Sequence, residues 1–479
     1  MSALVHRVRR GLAWSSASNL LLRVGSLAVG IVLARLLAPD QFGVYAVALT
    51  VQSILMTLAD PGLTALLIRS EEHARLAPTT ATIGMLCGAG LAAIMAAASP
   101  LIASVMGAPS AAPIIALLSL TLALAGAGVV PLATLQRSFA QQKVFAASAA
   151  DFAVSTAATL LLVLGGAGPI ALAVGRVLGQ TVSTSLQFVL AKERPAFGWD
   201  RRQLGLLVSF GAPLAGANLV SWIVINLDNV VIARMLGPTA LGFYVLAFNI
   251  ASWPMNALGQ AVRAVALPGF AQSEDAPRAL REAVALTWAG AAGAGALLAA
   301  LAVPLIAVVY GDVWLPAAPV LAALAVFGAM RAVFDLFAGY LMARGRSGSV
   351  LAVQVVWGVV LVPALVVGIR LSGVAGAGWA HVIVGAAVLG AYGVVLRGAR
   401  VGQMLGTSVY PSLVGLAAGA AAFGASAVLP GSIARLVGGG AAGLIVLGAA
   451  LWPWAASRLR TGAALSPAKR EEPLVEEKP

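Results

Sequence analysis

The segment ARLLAPDQFGVY (Ala34–Tyr45) recurs 199 residues later as ARMLGPTALGFY (Ala233–Tyr244). The two copies share an alanine, an arginine, a leucine, a proline, a glycine and a tyrosine, with no insertion between them. Each copy follows a long apolar run and contains a proline and a glycine, the residues that most often end helices. Chance similarity between two apolar segments is the alternative, and the unbroken register argues against it. The repeat predicts two lobes built on one plan.

The composition is that of a membrane protein. Of 479 residues, 60% are hydrophobic and 10% are charged, and the mean hydropathy is +0.96. Soluble domains contain about 25% charged residues. The charges fall in short gaps between long apolar runs, which is typical of a polytopic membrane protein. The first apolar run is too long for a signal peptide, so we predict that it is the first transmembrane helix.

The apolar runs predict an all-α polytopic fold of about fourteen transmembrane helices. The predicted spans are 11–36, 41–67, 79–106, 111–135, 145–165, 169–191, 204–232, 240–264, 282–310, 316–341, 349–370, 373–396, 409–429 and 432–455. The first six helices form an N-terminal lobe (1–198), the next six a C-terminal lobe (199–400), and two extra helices follow (401–457) before a polar, disordered tail (458–479). The two copies of the repeat begin six helices apart, so both lobes point the same way.

Lysine and arginine residues indicate the orientation in the membrane. With the N-terminus in the cytoplasm, 23 of the 30 Lys and Arg residues lie on the cytoplasmic side, four lie outside and three lie within helices. We therefore expect both termini in the cytoplasm. The net charge of +13 reflects this distribution, and no basic soluble module is present for nucleic acid to bind.

The pattern LDNVVIARMLGPTALGFYVLAFNI (Leu227–Ile250), its weaker echo in the first helix pair and the fourteen spans resemble the polysaccharide transporters of the multidrug/oligosaccharidyl-lipid/polysaccharide exporter superfamily. This group includes the Wzx-type flippases. The resemblance implies a V-shaped pair of lobes and alternating access. It also implies transport of an undecaprenyl-diphosphate-linked oligosaccharide from the inner to the outer leaflet of the bacterial inner membrane, for lipopolysaccharide or other polysaccharide biosynthesis.

Three arginines lie within predicted spans, at positions 23, 176 and 331. A charge in hydrocarbon costs at least about 2.5–3.5 kcal/mol, so these residues must face water or a partner. A guanidinium group stays charged and binds phosphate oxygens bidentately, which suits a diphosphate. We favour substrate binding for Arg23 and Arg176. For Arg331, an ion pair with Asp335 one turn on is an equal alternative.

Polar side chains at helical spacing lie on the helices of Arg23 and Arg176 and on the equivalent face of the seventh predicted helix. The set comprises Asn19, Gln180, Asn218, Trp222 and Asn226. Amides donate hydrogen bonds to hydroxyl groups and an aromatic ring stacks on a sugar, so the sequence predicts that these residues line a substrate cavity. Trp222 occupies the position that Arg23 has in the first copy of the repeat. Amide hydrogen bonds between helices are the structural alternative.

Four further residues are candidates for gating or ion coupling: Asp60, Asp228, Asp335 and His381. Asp60 precedes a Pro-Gly pair and could equally cap a helix, and for Asp228 we favour a salt bridge with Arg234. A lone membrane histidine is more often a packing residue. No metal, nucleotide or nucleophile motif occurs, so we expect no cofactor and no enzyme activity. A proton or sodium gradient, the membrane potential or the substrate gradient would then supply the energy.

Two other functions are alternatives. A multidrug/cation antiporter of the same fold needs acidic, aromatic-lined pockets, whereas arginines outnumber unpaired central carboxylates here. A membrane-embedded glycan polymerase or transferase usually needs a large outer loop, and the predicted outer loops are short. The expected partners are a lipid-linked oligosaccharide, membrane lipids and the glycan polymerase and chain-length machinery.

Overall fold

A computed structural model describes residues 21–60, 62–194, 196–272, 275–396 and 401–461, and all regular structure within these ranges is helical. The chain divides into two compact units, Met1–Val245 with Val309–Trp314, and Leu246–Val308 with Leu315–Pro479. The domain boundaries that we predict at residues 198, 400 and 457 stay a prediction.

The first unit is built mainly from the helices that precede residue 245. They are α1 (21–36), α2 (Pro39–Ala59), α3 (Leu63–Arg69), α4 (His73–Ala97), α5 (Ser99–Val105), α6 (Ala112–Leu118), α7 (Leu120–Arg137), α8 (Gln141–Leu164), α9 (Ile170–Ala191) and α10 (Arg201–Gln272), which continues into the second unit. Within this unit α7 packs against α4 and α9, and α8 packs along α9.

The second unit is organised around one buried helix. The helices after α10 are α11 (Ala276–Ala300), α12 (Ala302–Val309), α13 (Ala318–Ala343), α14 (Ser347–Val395), α15 (Val401–Val428) and α16 (Ser432–Thr461). Side chains of α13 are buried along almost its whole length, and α13 packs against both α11 and α14.

Ten helical segments among the described residues are long and apolar enough to cross a membrane, by length and composition. The prediction of an all-α polytopic membrane protein is thereby confirmed. The number of fourteen spans stays a prediction, because some of these segments contain a break.

Helix α14 is a hairpin rather than one rod. Its 49 residues would extend about 74 Å if straight, more than twice the thickness of a bilayer core. The backbone leaves helical geometry at Ser372 and Gly373. Gly368 and Gly376 lie on either side of this break, yet a methyl group added to either would overlap the carbonyl of the other. The two halves therefore run antiparallel, as the separate spans 349–370 and 373–396 predict.

Helix α10 has the same form. Its backbone breaks at Gly237, where φ is +81°, between the predicted spans 204–232 and 240–264. The Tyr244 hydroxyl donates a hydrogen bond to Asp228 Oδ2, although sixteen residues separate them and a straight helix would hold them about 24 Å apart. We call the segments before and after Gly237 α10a and α10b.

The two copies of the repeat meet at the turns that they share. Gly43 lies against the carbonyl of Pro238, and Gly242 lies against the carbonyl of Pro39, so closely that a methyl group on either glycine would overlap the oxygen. Each contact is the image of the other under the shift of 199 residues, as a two-fold relation between the copies requires. We call these four residues the repeat junction. Glycine is needed there because any Cβ would block the approach.

A second reciprocal contact flanks the repeat junction. Gly107, at the turn after α5, lies against the carbonyl of Ala233 at the start of the repeat's second copy. At the corresponding turn after α12, Trp314 donates its indole N–H to the carbonyl of Ala34, the residue equivalent to Ala233, at 2.7 Å. Each copy therefore packs a turn against the other.

Trp314 fills the space between the copies. Its side chain is fully buried, and its ring stands edge-on to Phe42 and Phe243 at centroid distances of 5.6 and 5.9 Å. Arg35 Nε donates to the carbonyl of Val309 at 2.8 Å, which fixes the same segment from its other end. Arg35 thus has an architectural contact.

The spans predicted as continuous at 79–106 and 282–310 are each interrupted. The breaks lie at Ala98 and Leu301, and each is followed by the sequence PLIA, beginning at Pro100 and at Pro304. Proline has no N–H to donate, so it suits the first turn of a helix and favours a new start there. These segments, 204 residues apart, extend the internal repeat beyond the turns at Pro39 and Pro238.

We expect Gly43→Ala to lower the free energy of unfolding by about 1–3 kcal/mol, because the new methyl group must displace the Pro238 carbonyl. Thermal unfolding of the purified protein in detergent measures this change. Gly30→Ala on α1 is the matched control, since nothing lies within 4 Å of the added methyl. Equal unfolding midpoints for the two variants would contradict the close packing of the repeat junction.

Candidate functional site

An arginine and an aspartate face each other across two membrane helices of the first unit. Arg176 Nη1 on α9 lies 3.7 Å from Asp151 Oδ2 on α8. The exposed fractions of the side chains are 40% for Arg176 and 21% for Asp151. Either charge alone would be costly in hydrocarbon, and each lowers the cost of the other.

Two glycines bring these helices together. A methyl group on Gly175 would overlap Thr159, and one on Gly179 would overlap the Asp151 carboxylate. The glycines are one turn apart on α9, so they form a flat surface on which α8 lies closely. The space left by Gly179 is the space that the Asp151 carboxylate occupies.

Tyr45, on α2, packs against the apolar side chains of Leu33, Leu37 and Leu172. Tyr45 is the repeat equivalent of Tyr244, which donates to Asp228. The position equivalent to Asp228 in the first copy is Val29, which packs with Tyr45 in an apolar cluster. The two copies therefore surround equivalent tyrosines with different chemistry. We call Asp151 and Arg176 the Arg176 cluster.

The polar side chains of α9 continue from this cluster at helical spacing. Gln180 Nε2 donates to Thr184 Oγ1 at 3.4 Å, and Gln187 Nε2 donates to Ser183 Oγ at 3.4 Å. Gln180, a predicted substrate residue, thus lies one turn from Arg176 and is held by a weak bond within its own helix.

Helix α1 carries the predicted residue Arg23, whose side chain is exposed. A methyl group added to Gly25 would lie 2.9 Å from the ring of Phe152, so α1 passes α8 at the residue that follows Asp151. The structure thereby brings the helices of Arg23, Asp151 and Arg176 side by side. Asn19 lies outside the described residues.

The predicted residues of α10a divide between exposed and internal positions. Asn218 is exposed, and Trp222 is 39% exposed. Asn226 is buried, and its amide donates to the Trp222 carbonyl at 2.9 Å. Asn218 and Trp222 therefore present free surface, whereas the Asn226 amide is engaged within its own helix.

Two of the predicted gating residues have local hydrogen-bond partners in the first unit. Asp60 Oδ1 accepts from the backbone N–H of Thr64 at 3.1 Å, in the first turn of α3. Asp228 is buried and accepts from the backbone N–H of Asn229 as well as from Tyr244. Asp60 therefore lies at the turn between α2 and α3, whereas Asp228 lies within α10a, before the break at Gly237.

The remaining predicted residues lie in the second unit. The Arg331 guanidinium lies 5.7 Å from the ring centroid of Trp357, and Asp335 follows one turn later on α13. His381 is buried, its Nδ1 is 3.0 Å from the Ala377 carbonyl, and its ring packs against Phe327. The surroundings of His381 are those of a packing residue.

An apolar groove of about 530 Å³ opens between α11, α13 and α15 in the second unit. Its lining includes Trp288, Ala296, Val326, Leu416, Ala420 and Phe423. The Trp288 indole N–H donates to Ser412 Oγ at 2.8 Å. This hydrogen bond satisfies the polar groups of both side chains, so the wall of the groove is apolar. Such a groove suits a hydrocarbon chain.

Asp151 is the residue that sequence reasoning missed. It lies within the predicted span 145–165, where a carboxylate is costly and therefore informative. That position was a sufficient signal to single it out. The sequence does not predict its pairing with Arg176, because the two residues lie on different helices.

Comparison with solved structures defines the class. The chain resembles the lipid II flippase MurJ in its inward closed conformation, with a TM-score of 0.79 and 13% identity, over 93% of this chain and 99% of that one. It also resembles the inward-facing conformation of a multidrug resistance MATE family transporter of the MOP superfamily, with a TM-score of 0.61 and 17% identity, over 81% of this chain and 95% of that one. The fold is thus that of this class of multi-pass membrane protein.

The sequence identifies the family within this class. Residues 32–319 match the family of polysaccharide biosynthesis proteins, and the chain belongs to that family. It is 28% identical to the lipopolysaccharide biosynthesis protein WzxC of Escherichia coli (strain K12), over 76% of each chain. It is 30% identical to the succinoglycan biosynthesis transport protein ExoT of Rhizobium meliloti (strain 1021), over 72% of this chain and 70% of that one. The resemblance predicted from Leu227–Ile250 is confirmed.

Proposed function

We propose that this protein is a flippase that moves an undecaprenyl-diphosphate-linked oligosaccharide from the cytoplasmic to the outer leaflet by alternating access of its two lobes. The observation that carries the proposal is the presence of Arg23 and Arg176 on neighbouring membrane helices of a chain in the polysaccharide biosynthesis family. The similarity to WzxC, a lipopolysaccharide biosynthesis protein, and to ExoT, a succinoglycan biosynthesis transport protein, supports it, as does the fold shared with a lipid II flippase.

The cargo poses a problem of solvation. A diphosphate and several sugars lose their water on entering hydrocarbon, at a cost far above the energy of any single contact. Guanidinium groups replace that water for the diphosphate through charge-assisted hydrogen bonds. In this proposal Arg23 and Arg176 bind the diphosphate, with Arg331 as a further cation. Asn19, Gln180, Asn218 and Trp222 contact the sugars, and the buried Asn226 supports Trp222 through its backbone carbonyl.

The lipid chain of the cargo needs an apolar path. The groove between α11, α13 and α15 has an almost wholly apolar lining and enough volume for several isoprene units. We assign it to the polyprenyl chain. This assignment would explain helix α15, which lies outside the internal repeat and supplies one wall.

The second candidate function is that of a cation antiporter, which the shared MATE fold favours. A cation site requires available carboxylates, and the buried carboxylates of the first unit have partners: Asp228 pairs with Tyr244, and Asp151 faces Arg176. Arginine-rich helices favour an anionic cargo instead. We infer transport rather than catalysis, as for the flippase and transport proteins that this chain resembles, with coupling to a proton or sodium gradient.

Both termini are cytoplasmic in this proposal, with the protein in the bacterial inner membrane. The distribution of Lys and Arg supports this orientation. Green fluorescent protein fused after Pro479 should fluoresce, because it folds in the cytoplasm. A fusion truncated after Gly431, in a predicted outer turn, should stay dark. The reverse pattern would contradict the orientation.

Deleting the gene in its host should cause one lipid-linked oligosaccharide to accumulate, accessible only from the cytoplasmic leaflet. The purified protein should flip the same lipid in vesicles, and Arg23→Gln should lower the initial rate at least about tenfold, as expected for loss of a charge-assisted contact. Arg278→Gln, an exposed residue at the start of α11, is the control. Unchanged intermediates together with altered efflux of drug cations would favour the antiporter.

Filling the groove should slow transport without affecting the anion contacts. Ala420→Trp places a large ring in the groove, whereas Ala417→Trp adds the same ring on an exposed position of α15 that does not line it. We expect the first variant to lower the flipping rate several-fold and the second to retain it. Equal rates at matched expression would remove the groove from the transport path.

A further inference from the structure

The charge contact between Arg176 and Asp151 is loose. The separation of 3.7 Å is longer than a hydrogen bond. Asp151 Oδ1 is buried and, within the described part of the chain, has no hydrogen-bond partner. A carboxylate with two oxygens accepts up to four hydrogen bonds. The pair therefore balances charge but, among the described residues, leaves the bonding capacity of Asp151 Oδ1 unused.

The two members of the pair differ in freedom of movement. The Asp151 carboxylate fits the space above Gly179 and has a short side chain. The Arg176 side chain is long and 40% exposed, so its guanidinium can turn outward while its stem stays on α9. An anion that approaches from the open side would meet the guanidinium and compete directly with Asp151.

We propose that Asp151 is an internal competitor of the cargo for Arg176. When the diphosphate binds, the Arg176 guanidinium turns away from Asp151. When the diphosphate leaves, the guanidinium pairs with the Asp151 carboxylate again. This return keeps anion binding weak enough for release and prevents an unpaired arginine in the empty protein. The proposal rests on the assignment of Arg176 to cargo binding. Asp151 acts through Arg176 and is a positioning residue.

A purely structural role for the pair predicts different behaviour. If the ion pair served only to clamp α8 to α9, its loss would weaken the site and the anion would bind less well. The glycine contacts at positions 175 and 179 already join these helices without the ion pair. The direction of the change in affinity therefore separates the two roles.

The test measures binding of farnesyl diphosphate, a short polyprenyl diphosphate, to the full-length protein in lipid nanodiscs, with farnesol as the uncharged control. We expect Asp151→Asn to bind farnesyl diphosphate about fivefold more tightly than the wild type, the effect of removing one partly exposed ion pair. Arg176→Gln should bind it more weakly. The double variant should match Arg176→Gln alone, because Asp151 acts only through Arg176.

Asp40→Asn removes the same charge from an exposed position and should leave the affinity unchanged. Asp151→Ser is a second variant in case Asp151→Asn unfolds, and thermal unfolding reports on both. The proposal is overturned if the folded Asp151 variants bind farnesyl diphosphate with unchanged or lower affinity. It is also overturned if the wild-type protein binds farnesyl diphosphate and farnesol equally well.

Flipping in vesicles separates this inference from the proposed function. With tighter binding and slower release, Asp151→Asn should lower the rate of multiple turnover while still completing a first transfer. If the wild type flips the lipid-linked oligosaccharide but the Asp151 variants bind and flip as the wild type does, only the inference fails. If the wild type does not flip it at all, the proposed function fails.

Discussion

Four backbone groups at the repeat junction determine how closely the two copies of the repeat pack in the first unit. Gly43 and Gly242 must lie within contact of the carbonyls of Pro238 and Pro39, and only residues without a Cβ allow this. The hairpins that carry these turns are thereby fixed relative to each other at backbone distance. Trp314 and Arg35 then add side-chain contacts around the same point. Because the equivalent turns contact each other's backbone, few side chains fit at the turns. The helices between them have no such contact and accept more kinds of residue.

That freedom along the helices explains how one plan carries two chemistries. Tyr244 in the second copy donates to Asp228, whereas the equivalent Tyr45 in the first copy packs against apolar side chains. A charge within a membrane helix is costly, so each one present needs a partner, water or a function. In the first copy the partner is Asp151, and Gly179 provides its space. The asymmetry of the copies, rather than their similarity, thus marks the site proposed for the anionic cargo.

Local features of the sequence predicted much of the fold. The apolar runs alone predicted separate spans on either side of Gly237 in α10 and of Ser372–Gly373 in α14, where the backbone breaks. This was possible because a membrane span is a run of about twenty neighbouring apolar residues, which can be recognised without knowing any contact between helices. The interruptions at Ala98 and Leu301 were missed, since the hydropathy does not change there and only the proline in the next turn marks them. Of the candidate site, Arg23 and Arg176 were recognisable as intramembrane charges, whereas Asp151 was overlooked.

By itself, the sequence determined that this is a multi-pass helical membrane protein of the polysaccharide biosynthesis family, with an internal repeat whose turns recur in register. Only the tertiary structure decided which groups meet: Gly43 with Pro238, Arg176 with Asp151, and the apolar walls of three helices around one groove. The physical reason is the range of each effect. Hydropathy and helix-breaking residues act within one segment, but a contact between helices depends on their rotation and closest approach, which small residues far apart in the chain set together.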